Sequence, residues 1–247
     1  GKAPMKLHTI TTGDGPKKVA LVHGIGASAE LWGSLAERIA ESGEFTAIAV
    51  DLRGHGDSPR AQSYRLAEFV DDLIETLPGD LHSAVGHSLG GALLVRAVPR
   101  LLPQRAIYLD PGFKLGLPSE GAGARVFWAL SGVTLPLVML ASAATGTGDS
   151  KRYSEATRVL DKRARQRFDK KMTVGIFDQI THAPTASAAP VVPSTLVLSA
   201  EGKAVVPAPI PAELEALGWD VRQLPQVGHP FWLHDADATF GAIRDVL

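Results

Sequence analysis

Ala84-Val85-Gly86-His87-Ser88-Leu89-Gly90-Gly91 decides the reading of this 247-residue chain. Residues His82 to Gly86 form a short apolar run suited to a buried strand. Gly90 to Leu102 carries Leu93, Leu94, Ala97, Leu101 and Leu102 at helical spacing. Gly86, Ser88 and Gly90 match G-x-S-x-G, which sets a serine on a sharp strand-to-helix turn with its hydroxyl free of its neighbours. Only residues without a Cβ let the backbone close that tightly. The amide of Leu89, opening the helix, then points to where an oxyanion would form. On its own the motif also fits a Gly-rich helix start in which Ser88 is merely a cap. The strand–turn–helix context favours a nucleophile.

The length suits one sizeable domain, or a core with an inserted lid. With 25 basic and 26 acidic side chains the net charge is −1, so neither nucleic acid nor a membrane surface is expected as a partner. No uninterrupted apolar run is long enough to span a bilayer. The absence of cysteine excludes a disulfide, a thiolate nucleophile and a thiolate metal site. It fits a reducing compartment, and the cytoplasm is the expectation. Gly1-Lys2-Ala3-Pro4 lacks the apolar core of a secretory signal, and Gly1 in place of Met reads as a processed start.

Upstream of the serine, Lys6 to Thr11 alternates like a strand, and Lys18 to Val22 reads as a strand buried on both faces. It runs into His23-Gly24-Ile25-Gly26, where glycines let the Ile25 amide face a cleft as a second oxyanion donor; a plain strand-to-helix turn is the alternative. Ser28 to Ala40 is predicted helical with Ser28 as cap, and Phe45 to Val50 is another buried strand. The polar loop Asp51 to Pro59 is expected to be held together by its own hydrogen bonds and an ion pair, and His55 receives no chemical role. Tyr64 to Leu77 is an amphipathic helix. Ala106 to Asp110 is a further strand, and the alternation implies a parallel sheet with helices on both faces.

At Pro111 the rhythm breaks. Residues 112–185 read as a helical cap inserted in a core of 1–111 and 186–247. Within the cap, Val126 to Met139 is predicted as one apolar helix roofing a pocket, with Phe127, Trp128 and Met139 as substrate-binding residues. Lys151 to Lys171 is strongly basic, with Val159, Leu160 and Phe168 expected beneath. A solvated face explains it most simply; docking the phosphates of a coenzyme A ester on Lys162, Arg163 and Arg165 is the sharper alternative. Alternation resumes with a strand at Thr195 to Ser199, a helix at Pro211 to Leu217, a strand at Asp220 to Leu224 and a closing helix at Asp235 to Leu247. Before that last helix, Gly228-His229 places a histidine over the same sheet edge as Ser88.

Taken in order, His23-Gly24, the loop Asp51 to Ser58, Gly86 to Gly91 and Gly228-His229 make the chain resemble the α/β-hydrolase family over nearly its whole length. The resemblance implies an α/β fold: an eight-stranded, mostly parallel sheet, seven-stranded if the first strand is missing, with a cap after the family's sixth strand. It also implies a Ser–His–acid triad, Ser88 as nucleophile and His229 as general base, with Ile25 and Leu89 amides as oxyanion donors worth roughly 3–4 kcal/mol each. Many relatives carry the acid four residues before a proline, and that position here is Lys203, whose charge would oppose imidazolium formation. Asp110 is therefore the expected acid. It ends a strand, Pro111 biases it toward extended backbone, and some relatives carry their acid there. Glu201 is the runner-up, and a turn-forming Asp is the plainer account of Asp110.

The implied activity is cleavage of a carboxylic ester, lactone or thioester of a small to medium apolar substrate, with a small molecule as partner and no cofactor or metal. A monomer or homodimer is expected. Carbon–carbon bond hydrolysis and perhydrolysis need almost the same residues. Lys203 also leaves open a hydrolase-like ligand-binding or signalling protein with negligible turnover.

Overall fold

A computed structural model describes residues 3–145 and 149–247, and Gly1 and Lys2, read above as a processed start, lie outside the described residues. Seven strands form one sheet: β1 Thr9–Thr12, β2 Lys17–Val22, β3 Phe45–Val50, β4 Ser83–His87, β5 Arg105–Leu109, β6 Ser194–Ser199 and β7 Asp220–Leu224. The spatial order is β1-β3-β2-β4-β5-β6-β7. Only β1 runs antiparallel, pairing Thr9 with Val50 on β3. The sheet is thus the seven-stranded alternative, and every other pairing is parallel.

Strand periodicity divides the core in two. On β2, Val19 and Leu21 face one cluster with Trp32, Leu35 and Ile39, while Ala20 and Val22 face the other with Phe69, Leu73 and Leu93. The first cluster is closed by α1 (Gly33–Ala40) and, late in the chain, α9 (Ala236–Ile243). The second is closed by α2 (Leu66–Thr76), α3 (Leu89–Leu101) and α8 (Pro209–Ala216). Central strands buried on both faces need apolar residues at every position, which is why β2 and β4 read as continuous runs.

One cap differs from expectation. Ser28 makes no side-chain cap bond, and Ala29–Trp32 is a 3₁₀ turn preceding α1. The free amide of Ala29 is taken instead by Asp51 Oδ1 at 2.7 Å, a distant carboxylate that local sequence does not disclose.

Between β5 and β6 the described residues form α4 (Gly121–Ala129), α5 (Ser131–Thr145), α6 (Glu155–Arg167) and α7 (Met172–His182). The single helix expected over Val126 to Met139 is in fact two, α4 and α5 meeting at a 99° bend. Leu130 closes α4 at φ −105°, and Gly132 follows immediately in the first turn of α5. Pro136 lies inside α5 but is not the break. No single described helix is long and apolar enough to cross a membrane, although this bent pair is apolar apart from Arg125.

The insertion is fastened to the core from two sides. Gln179 of α7 accepts from the Leu66 amide at 2.9 Å and donates to the Tyr64 carbonyl at 3.1 Å. Met172, Ile176 and Ile180 join the core cluster beneath. On α6, Arg163 pairs with Glu30 and Arg167 with Asp57, both on core loops. Of the three residues expected beneath, Phe168 packs against the core and stacks on His55, Leu160 is half-buried, and Val159, contrary to expectation, is 54% exposed. Arg165 pairs with Asp161 within the helix. Two of the three cations considered for coenzyme A phosphates are thus committed to carboxylates.

Candidate active site

Parallel strands bring their C-terminal ends to one edge, and the loops leaving β2, β4, β5, β6 and β7 all emerge there. Ser88 leaves β4 at φ 54°, ψ −118°, a conformation an L-residue adopts only when its surroundings hold it. Its amide donates to the Leu109 carbonyl at 3.1 Å, and its carbonyl accepts from Gly112 at 2.8 Å and Gly91 at 3.1 Å. The glycines around it are steric requirements. A Cβ on Gly86 would lie 2.7 Å from the Gly90 carbonyl oxygen, and one on Gly90 only 2.1 Å from that of Val22. Neither position has room for a side chain.

The turn after β2 lies against the serine, since a Cβ on Gly24 would be 3.1 Å from Ser88 Cβ. The turn that carries Ile25 thus approaches the serine, and Leu89 follows it directly as the first residue of α3. Two buried histidines shape that turn. His23 Nδ1 donates to the Gly24 carbonyl at 2.7 Å while its Nε2 accepts from the Leu52 amide at 3.1 Å. His55 Nδ1 donates to the Arg53 carbonyl at 3.0 Å while its Nε2 accepts from the Gly26 amide at 3.0 Å. Each ring accepts at one nitrogen and must stay neutral. Burial pushes His23 down to about 4. Burial, and then the neighbouring His23, push His55 down to about 3.

The rest of the Asp51 loop is structural. Asp51 also accepts from the Asp57 amide at 3.0 Å, and Arg53 forms a buried two-pronged pair with Asp72 of α2 at 2.6 and 2.9 Å. The hydrogen bonds anticipated for this loop are present, while the ion pair ties it to α2 instead of closing the loop on itself.

Asp110 follows β5 with its side chain 2% exposed. Its φ is +38°, not the extended backbone expected before Pro111. The amide is committed to the Val197 carbonyl at 3.0 Å, which holds the residue in this conformation. The carboxylate then turns to three donors. His229 Nδ1 lies 3.2 Å from Oδ2, Ser199 donates its amide to Oδ1 at 3.0 Å, and the Ser199 hydroxyl donates to Oδ2. The Nδ1–H of His229 is thereby assigned to Asp110, leaving Nε2 with its lone pair. Glu201 is engaged elsewhere: Arg152 Nη1 holds its Oε2 at 2.6 Å and donates from Nη2 to the Gln226 carbonyl at 2.8 Å.

His229 sits on the loop after β7, and three contacts seat it. His87 Nε2 donates to its carbonyl at 2.6 Å, with ring centroids 4.7 Å apart. Trp232 stacks on Trp32 at 3.8 Å and donates its indole N–H to the Leu31 carbonyl at 2.7 Å. Burial, reinforced by the adjacent His229, holds His87 well below its ordinary pKa, in keeping with a neutral ring. Ser199 and His87 are functional neighbours that sequence reasoning missed. Ser199 ends a strand next to the one carrying Asp110, but that adjacency becomes visible only once strand order is known.

A cavity of about 450 Å³ opens beside His229, walled by Leu117, Leu135, Met139 and Phe177. Lys203 and Glu201 form its polar side. Of the three residues expected to roof a pocket, Met139 lines this cavity, but Phe127 and Trp128 do not. The bend at Leu130 carries α4 away, so that Trp128 donates to the Pro118 carbonyl at 2.8 Å and lines a separate cleft with His182. Phe177, on α7, takes part in the wall instead; the spacing of Ile176 and Ile180 announces that helix in the sequence.

Comparison with known proteins adds three likenesses. An uncharacterized protein of Mycobacterium tuberculosis is 33% identical over 151 residues, 54% of this chain but only 42% of the relative's own length. The N-formylmaleamate deformylase of Pseudomonas putida is 25% identical over 98% of this chain and 93% of its own. In structure, an N-acyl homoserine lactone degrading enzyme matches with a TM-score of 0.77, 19% identity, and 98% and 97% coverage of the two chains, which speaks for the fold alone. The model of the alpha/beta hydrolase family matches residues 19–242, so it spans the serine turn, the insertion and the His229 loop together, and the chain belongs to that family.

Proposed function

We propose that this chain is a serine hydrolase that cleaves a carboxylic ester, lactone or thioester of a small to medium apolar substrate through an acyl-enzyme on Ser88. The observation that carries this reading is the buried Asp110 carboxylate holding Nδ1 of His229 on the sheet edge that also bears the strained Ser88. In the proposed reaction Nε2 of His229 takes the Ser88 proton as the hydroxyl oxygen attacks the carbonyl carbon. The resulting oxyanion is held by the amides of Ile25 and Leu89. The imidazolium, stabilised by Asp110, then protonates the leaving alcohol or thiol. Water, deprotonated by the same nitrogen, releases the acid and restores Ser88. Helices α4 to α7 serve as a lid, with α5 and α7 supplying the apolar wall that displaces water from the carbonyl.

Covalent labelling tests the nucleophile directly. A fluorophosphonate probe should modify the native protein and leave the Ser88→Ala variant unlabelled; undiminished labelling of that variant would overturn the assignment.

A further inference from the structure

Resting on the hydrolase reading above, we propose that the substrate carries a carboxylate, and that Lys203 is the residue that selects for it. The cavity beside His229 is apolar over most of its wall, and such sites owe orientation and specificity to a few placed polar groups. Two charged residues line it. The carboxylate of Glu201 is neutralised by Arg152 at 2.6 Å, whereas Lys203 has neither an ion pair nor a hydrogen-bond partner among the described residues. Among the described residues the cavity is therefore left with one uncompensated positive charge.

Between β5 and β6 the arginines Arg152, Arg163, Arg165 and Arg167 are each paired with a carboxylate, whereas Lys162, like Lys203, has no ion pair among the described residues but lies outside the cavity lining. Lys203 is an exposed residue at the edge of that wall, so its charge is available to an anion entering from solvent, and the attraction is screened by salt. Lysine presents a compact charge on a flexible stem and accepts a carboxylate without the planar two-pronged geometry that arginine favours. A neutral acyl chain gains nothing from it.

The test compares mono-p-nitrophenyl glutarate with p-nitrophenyl pentanoate, similar in length and differing by one carboxylate. Lys203→Met should lower the ratio of kcat/KM for the anionic over the neutral ester by about tenfold or more, chiefly through KM, and Lys203→Glu should lower it further. Added salt should depress the native ratio, while Lys162→Met, exposed on α6 and outside the cavity lining, should leave it unmoved. A ratio unchanged in Lys203→Met, or one that falls equally in Lys162→Met, overturns the proposal. Binding separates it from the hydrolase reading. By calorimetry, Ser88→Ala protein should bind monomethyl glutarate about tenfold more tightly than the Ser88→Ala, Lys203→Met double variant. Equal affinities refute the role of Lys203 even if ester turnover is robust. A clear difference without any Ser88 labelling sinks the hydrolase instead.

Discussion

His87 donates its Nε2 proton to the carbonyl oxygen of His229 at 2.6 Å, tying the residue beside the serine to the backbone of the histidine that faces Asp110. The bond spans 142 positions of sequence and fixes the height of the His229 loop over the sheet edge. His87→Phe keeps an aromatic ring against Trp232 but leaves that carbonyl unpaired. Displacing a catalytic group by a fraction of an ångström to an ångström costs up to about a hundredfold in rate. We expect kcat to fall by about ten- to a hundredfold with KM little changed. Steady-state kinetics on a nitrophenyl ester reads this, and a loss confined to KM would remove His87 as a positioning residue.

The two candidate acids separate cleanly by mutation. Asp110→Asn preserves size while presenting the imidazole with the wrong partner, and it should lower kcat by about 10³–10⁴-fold. Glu201→Gln releases Arg152 but leaves the His229 ring held, so its effect on kcat should stay below about tenfold. If the two losses were reversed, the acid would be Glu201.

Strain at Ser88 predicts an inverse relation between stability and activity. At φ 54°, ψ −118°, the residue stores about 1–3 kcal/mol that glycine would not. Part of that gain is offset by the greater freedom of glycine in the unfolded chain. Ser88→Gly should therefore raise Tm by about 2–4 °C while abolishing turnover. Ser88→Ala keeps its Cβ, hence its strain, and should show no such rise. Calorimetry on both variants decides the point, and an equal shift in the two would show that the backbone is relaxed.

The buried histidines of the turn predict acid lability. His23 and His55 are neutral when folded, held down to about 4 and about 3, and on unfolding return toward the ordinary value near 6.5. The unfolded chain thus binds more protons below that value. The stability these rings contribute is complete above about pH 6.5 and drains away as pH falls toward the folded values. Between pH 7 and 5 Tm should drop by about 5–15 °C. His55→Gln, whose amide oxygen can still accept from Gly26, should flatten that slope. A native Tm independent of pH over this interval would show that neither ring is held neutral.

The buried pair of Arg53 and Asp72 bears on folding alone. Asp72→Ala would leave the buried Arg53 guanidinium with Glu68 at 3.2 Å as its one remaining carboxylate among the described residues, and the Met5 amide without its acceptor, costing about 3 kcal/mol. Chemical denaturation measures the loss. A cost below about 1 kcal/mol would mean that solvent reaches Arg53.

By itself the sequence determined what is local. The strand–turn–helix around Ser88 was legible because Gly86 and Gly90 sit where a Cβ would strike backbone, and β3 and β7 were read to the residue from their flanking turns. The late Gly228-His229 was found by its order in the series of strands. What tertiary structure decided is which distant groups meet. Asp51 capping Ala29, Ser199 and His229 converging on Asp110, and Arg152 drawing Glu201 away all join residues whose proximity follows from strand order and loop path. Periodicity carries no record of those. The bend at Leu130 belongs to the same class: an apolar stretch has no pattern to say where one helix stops, and the direction α4 takes is set by what it packs against.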